Sequence, residues 1–103
     1  MSLRIRNKKP INYEPLLESL QKNSTLQKLT LRHLGLGKKM SQNVLTSSLI
    51  LYNESIKKLD LRGNSLTNLR VMTNNLVQNL NSKIQRLYLS ENDFEVYDVK
   101  EML

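Results

Sequence analysis

The residues of this chain best suited to chemistry are cations that return at regular intervals. Arg6, Arg32 and Arg62 stand 26 and 30 residues apart, and Lys28, Lys58 and Arg86 stand 30 and 28 apart. Such side chains make no bonds by themselves, but aligned in space they offer charge-assisted hydrogen bonds to carboxylates or phosphates. No nucleophile with an activating base is visible: there is no Cys, His33 is the sole His, and neither HExxH nor GxSxG occurs. Gly35-Leu36-Gly37-Lys38-Lys39 falls short of a phosphate loop. Arg32 stands where the first Gly of GxxxxGK[ST] belongs, and Lys39 replaces its Ser or Thr. The expectation is a protein that binds rather than catalyses and needs no cofactor or metal.

The frame that would align these cations is an eleven-residue pattern present three times, as LQKLTLRHLGL from Leu26, IKKLDLRGNSL from Ile56 and IQRLYLSENDF from Ile84. Its apolar residues follow at steps of three, two and five, which suits neither an amphipathic helix nor a simple alternating strand. The equivalent leucines Leu3, Leu29, Leu59 and Leu87 lie 26, 30 and 28 residues apart. A period near 28 holds one short strand and one helix of about three turns. Strands joined by such helices must run parallel. Because helices are wider than strands, stacked units should curve with the strands inside.

Between the strands, Asn12 can cap a helix over about Tyr13 to Lys22, with Pro15 in its first turn and Leu16, Leu17 and Leu20 as its apolar stripe. A second helix is expected from Ser41 to Leu51, burying Val44, Leu45 and Leu49. A third should run from a Thr67 cap to Leu80 through Leu69, Met72 and Leu76. Val96, Val99, Met102 and Leu103 fit a short final helix. Gly35 and Gly37 let the chain bend after the second strand.

The LxxLxLxxNxL pattern, intact in IKKLDLRGNSL and nearly so in IQRLYLSENDF, resembles the leucine-rich repeat, and a helix in every unit makes it similar to the ribonuclease-inhibitor type. The resemblance implies an α/β right-handed solenoid of about three to four repeats, with short parallel strands on a concave face and helices on the convex one. One domain would span 1–103, with a partial first repeat over 1–25 and repeats from 26, 56 and 84, the last one short. It also implies that Asn64 and Asn92 hold each turn by bonding the backbone of neighbouring units. Leu34 departs from the pattern, so the first turn should be less regular. Members of the family mostly bind other proteins, through surfaces that differ from one to the next.

Residues between the leucines of each strand point away from the core, which sorts the concave face into columns. Lys28, Lys58 and Arg86 form one, with Gln27, Lys57 and Gln85 beside it. Arg4, Thr30, Asp60 and Tyr88 form the middle one. Arg6, Arg32, Arg62 and Ser90 form another, and Asn7, His33, Gly63 and Glu91 the last. The expectation is that Arg32, Arg62, Lys58 and Arg86 receive acidic side chains of a protein partner. Asp60 would organise the two arginines flanking it, and Tyr88 would supply an aromatic anchor.

Overall charge agrees with such a partner. The chain carries +7, divided into +11 before Glu91 and −4 from Glu91 onward. With 39% hydrophobic and 24% charged residues it is expected to be a small globular domain. The absence of Cys, of a membrane-length apolar run and of a secretory signal at the start points to an intracellular, cytoplasmic protein without membrane contact. Asn23-Ser24-Thr25 and Asn53-Glu54-Ser55 match glycosylation acceptors, which would matter only in a secreted chain. The rival function is non-specific nucleic-acid binding through the same cations, although one Tyr gives little base stacking. A third possibility is a fragment of a longer solenoid, or units that associate end to end, acidic tail against basic front.

Overall fold

The computed structural model describes residues 1–6 and 12–94. Four strands, β1 (Ser2–Arg6), β2 (Lys28–Arg32), β3 (Lys58–Asp60) and β4 (Arg86–Tyr88), alternate with three helices, α1 (Glu14–Lys22), α2 (Met40–Tyr52) and α3 (Leu69–Gln78). The strands form one parallel sheet in chain order, β1-β2-β3-β4. Its register sets Leu3 beside Leu29, Leu29 beside Leu59 and Leu59 beside Leu87, the pairing the leucine spacing requires. The helices follow the same order, α1 packing on α2 and α2 on α3. The chain is thus a small α/β protein.

One core lies between sheet and helices. Leu29, Leu31, Leu59 and Leu61 are fully buried with Leu17, Leu49, Ile50 and Met72, and Leu26, Ile56, Leu36 and Leu66 close it where the chain enters and leaves the strands. Ile84, Leu87, Leu89 and Phe94 at the β4 end are only partly buried.

Two ladders of asparagine hold successive units together. Asn64 donates from Nδ2 to the carbonyls of Leu31 (2.6 Å) and Leu61 (2.9 Å), and its Oδ1 accepts from the Leu34 amide. Asn92 repeats the arrangement one unit later, donating to Leu61 and Leu89 and accepting from the amides of Asn64 and Leu66. Each Asn therefore satisfies buried backbone groups of the unit before it, which an apolar core cannot do. The turn expected to be less regular because of Leu34 takes the same left-handed conformation, at His33, as the later turns at Gly63 and Glu91, and its Leu34 amide is held by Asn64.

The second ladder was not expected. Asn53 donates to the carbonyls of Leu20 and Asn23, and Asn79 donates to those of Ile50 and Asn53. The Oδ1 atoms of Asn23 and Asn53 accept from the amides two and three residues ahead, which turns the chain out of α1 and α2 toward the next strand. The triplets that match glycosylation acceptors are thereby parts of the fold. Asn53 is 3% exposed and its Nδ2, the atom a glycan would occupy, is already donating.

The helices differ from expectation in four places. Asn12 does cap the first helix, but from one position before its N-cap Tyr13, by accepting from the Glu14 amide. Val44 is 53% exposed. Because α2 lies between two helices, both of its flanks are covered; Asn43, Thr46, Ser47 and Ile50 are buried with Leu49, while Leu45 is partly so. The Thr46 hydroxyl donates to the Gln42 carbonyl and the Ser47 carbonyl accepts from Asn75 of the next helix, whereas the buried Asn43 Oδ1 has no donor. Thr67 does not cap α3, whose N-cap is Asn68 without a side-chain bond, and Leu80 is 92% exposed rather than buried. The helix stops two residues earlier because Asn79 turns its amide onto the previous unit. The helix expected from Val96, Val99, Met102 and Leu103 lies outside the described residues.

Of the two glycines after β2, Gly35 adopts the left-handed backbone (φ 69°). Gly37 is required for closeness instead: a Cβ there would strike the Ser65 carbonyl, and its N–H donates to Asn64 at 2.8 Å. That contact ties the former phosphate-loop candidate to the next unit as a 3-10 turn over Leu36–Lys38.

Candidate functional site

The sheet face away from the leucines carries the cations. Along β2, Leu29 and Leu31 turn inward while Lys28, Thr30 and Arg32 turn out, as strand alternation demands. The parallel register then aligns Ser2, Lys28, Lys58 and Arg86 in one row and Arg4, Thr30, Asp60 and Tyr88 in the next. Arg6 pairs with Arg32. The next unit continues the row, with the His33 amide donating to the Arg62 carbonyl and the Gly63 amide to that of Ser90.

Asp60 is the centre of the site and is only 7% exposed. Arg62 grips it with a fork, Nε to Oδ1 at 3.0 Å and Nη2 to Oδ2 at 2.7 Å, and adds its backbone N–H to Oδ1 at 3.1 Å. Arg32 approaches from the other side, its Nε 4.0 Å from Oδ2. The other face of the fork lies over Tyr88, the guanidinium carbon 5.1 Å from the ring centroid, a cation–π contact. Asp60 lies near both arginines but engages them unequally: Arg62 is hydrogen-bonded, whereas the buried Arg32 Nε has no acceptor.

Burial alone would raise the pKa of the Asp60 carboxyl. The hydrogen bonds from the Arg62 side chain and amide, with the charges of Arg62 and Arg32, outweigh it and hold the group below its ordinary value. The same bond raises Arg62. A carboxyl depressed in the folded state stabilises the protein above its unfolded pKa, and the contribution disappears as pH falls through the folded value. Wild type should therefore lose stability below about pH 4 more steeply than Asp60→Asn, as read by denaturation midpoints at neutral and acid pH. Parallel acid limbs for the two proteins would contradict the assignment.

Sequence reasoning placed His33, Gly63 and Glu91 in one column but missed what they do there. All three adopt positive φ (57°, 72° and 59°), so the chain makes the same left-handed turn after each of the last three strands. A Cβ on Gly63 would collide with the His33 imidazole, which lies across it and brings Nε2 to 3.6 Å from Glu91. The lone Gly was the only signal in the sequence.

Lys28, Lys58 and Arg86 carry no ion pair among the described residues. With neighbouring strands about 4.8 Å apart, this row and the Arg6–Arg32 pair repel along their length unless an anion lies on them. A cavity of about 530 Å³ opens elsewhere, lined by Lys22, Asn23, Tyr52 and Glu54 among others, and shares no residue with this face. Among the described residues no group of His, Cys, Asp and Glu is placed to hold a metal ion, and no helix is long and apolar enough to cross a membrane.

Fold and face together define a small α/β protein with a parallel sheet whose open side is cationic. Comparisons with protein-family models, curated proteins and solved structures find no match.

Proposed function

We propose that the chain is an array of leucine-rich repeats of the ribonuclease-inhibitor-like type, and that its basic strand face binds an acidic surface of a protein partner. The repeat reading is supported by the LxxLxLxxNxL pattern, the in-register leucines of four parallel strands and the Asn64 and Asn92 bonds between units. The observation that carries the binding reading is the Lys28–Lys58–Arg86 row. These cations have no ion-pair partner among the described residues and stand side by side, where an anion laid on them relieves their repulsion. Arg32, Asp60, Arg62 and Tyr88 supply an ordered centre beside it.

The test must spare Arg62, which is joined to the buried Asp60. Lys58→Glu with Arg86→Glu changes a half-buried and an exposed cation, neither in an ion pair among the described residues, and should leave the protein folded with a melting temperature near wild type. The same variant should abolish binding to an acidic partner captured from a cell lysate. Undiminished binding by a folded variant would reject this face as the site. Tight, steeply salt-dependent binding to arbitrary oligonucleotides, surpassing binding to any acidic protein, would favour phosphate as the anion instead.

A further inference from the structure

We infer that the two central arginines have different tasks: Arg32 takes the partner's carboxylate, while Arg62, held by Asp60, forms with Tyr88 a flat platform that receives an aromatic side chain of the same partner segment. The inference rests on the acid-binding reading above and makes it more specific.

The inequality begins with Asp60. One carboxylate stands between two guanidinium groups, and Arg62 takes it completely, with two side-chain bonds and one from the backbone. The charge of Arg62 is thereby offset at 2.7 Å, and its Nε/Nη2 edge, the edge that would clasp an incoming carboxylate, is engaged. The cation–π contact with Tyr88, 5.1 Å from the guanidinium carbon to the ring centroid, sets the phenol beside the engaged group. What remains open to a partner is the flat rim of a guanidinium–phenol pair, of which Tyr88 is 38% exposed. Such a surface favours another π-system over a second carboxylate.

Arg32 is the converse case. It lies 4.0 Å from Asp60 without a hydrogen bond, its Nε is buried and lacks an acceptor, and its strand neighbour in register is Arg6, another cation. The Nε is out of a partner's reach, but the side chain is 25% exposed and no hydrogen bond to Asp60 engages it, so Arg32 remains open to an incoming carboxylate. Asp60 thus decides which arginine is free to receive the acid.

The two receptors lie two strands apart and two residues out of step, a separation of about 12 Å, which three or four residues of extended chain span. The partner chemistry that fits is an extended acidic segment with an aromatic residue three or four positions from a Glu or Asp, crossing the strands.

Two synthetic decapeptides test this by fluorescence anisotropy at low ionic strength, one all Glu and one with Tyr at every fourth position and Glu elsewhere. The Tyr peptide should bind roughly fivefold or more tightly despite its lower charge, and Tyr88→Ala should erase the difference. Arg32→Gln should weaken both peptides by roughly fivefold or more. The double variant Asp60→Asn/Arg62→Gln leaves net charge unchanged. It should keep all-Glu binding within about twofold of wild type while losing the preference for Tyr. Equal binding of the two peptides to wild type, or all-Glu binding unaffected by Arg32→Gln, would overturn the inference and leave acid binding standing. Failure of both peptides to bind wild type would instead remove the acid-binding reading on which it rests. Should the double variant not fold, the single variants Tyr88→Ala and Arg32→Gln still decide the matter, because neither residue is hydrogen-bonded to Asp60.

Discussion

Leu59→Ala should lower the unfolding free energy by about 3–5 kcal/mol, the largest loss expected from a single apolar truncation here. Leu59 is fully buried, flanked in register by Leu29 and Leu87, and it belongs to the core that the sheet shares with the helices. Removing it leaves a cavity that neither neighbouring strand can fill without leaving register. A chain of 103 residues has a total stability of roughly 5–15 kcal/mol, so the variant should be partly unfolded at 37 °C or close to it. Leu80→Ala is the control: at 92% exposure it should change stability by no more than about 0.5 kcal/mol. Urea denaturation followed by circular dichroism measures both. A Leu59→Ala midpoint near that of wild type would contradict the packing described.

Asn64→Ala should cost about 3 kcal/mol or more by a different route. Asn64 is fully buried, and its loss removes the side-chain partner of the Leu31 carbonyl and the Leu34 amide in a place water does not reach, while the Leu61 carbonyl keeps its bond from Asn92. An unmet buried backbone group costs about 1–3 kcal/mol. Asn92 makes equivalent bonds but is partly exposed, so water can replace some of them and Asn92→Ala should cost less, about 1–2 kcal/mol. Hydrogen exchange adds a local readout, since the Leu34 amide should lose protection in Asn64→Ala. Equal costs for the two asparagines would contradict the difference in burial.

How much of this was legible in the sequence depends on what repeats. Leucine steps recur strictly, so four parallel strands and the Leu3–Leu29–Leu59–Leu87 register follow from spacing alone, and with them the composition of the cationic rows. Helix faces were less legible. A helix between two neighbours buries both flanks, and periodicity marks only one, which is why Val44 was expected inside and Thr46 was not. The ends of α2 and α3 are set by Asn53 and Asn79 through carbonyls about thirty residues away, and no local pattern announces them. The pairing of Asp60 with its arginines could be anticipated from columns. That Arg62 would take the bond and Arg32 be left without one could not, because it depends on which guanidinium reaches Tyr88.

One face of the sheet, and not the helices, is proposed to receive an anionic partner. A titration of the ¹⁵N-labelled protein with the all-Glu decapeptide, followed by amide chemical shifts, tests it most directly. Shifts should follow the rows Lys28–Lys58–Arg86 and Arg6–Arg32, with α1, α2 and α3 unchanged. Shifts confined to helix surfaces, or to the loops around Tyr52, would contradict it.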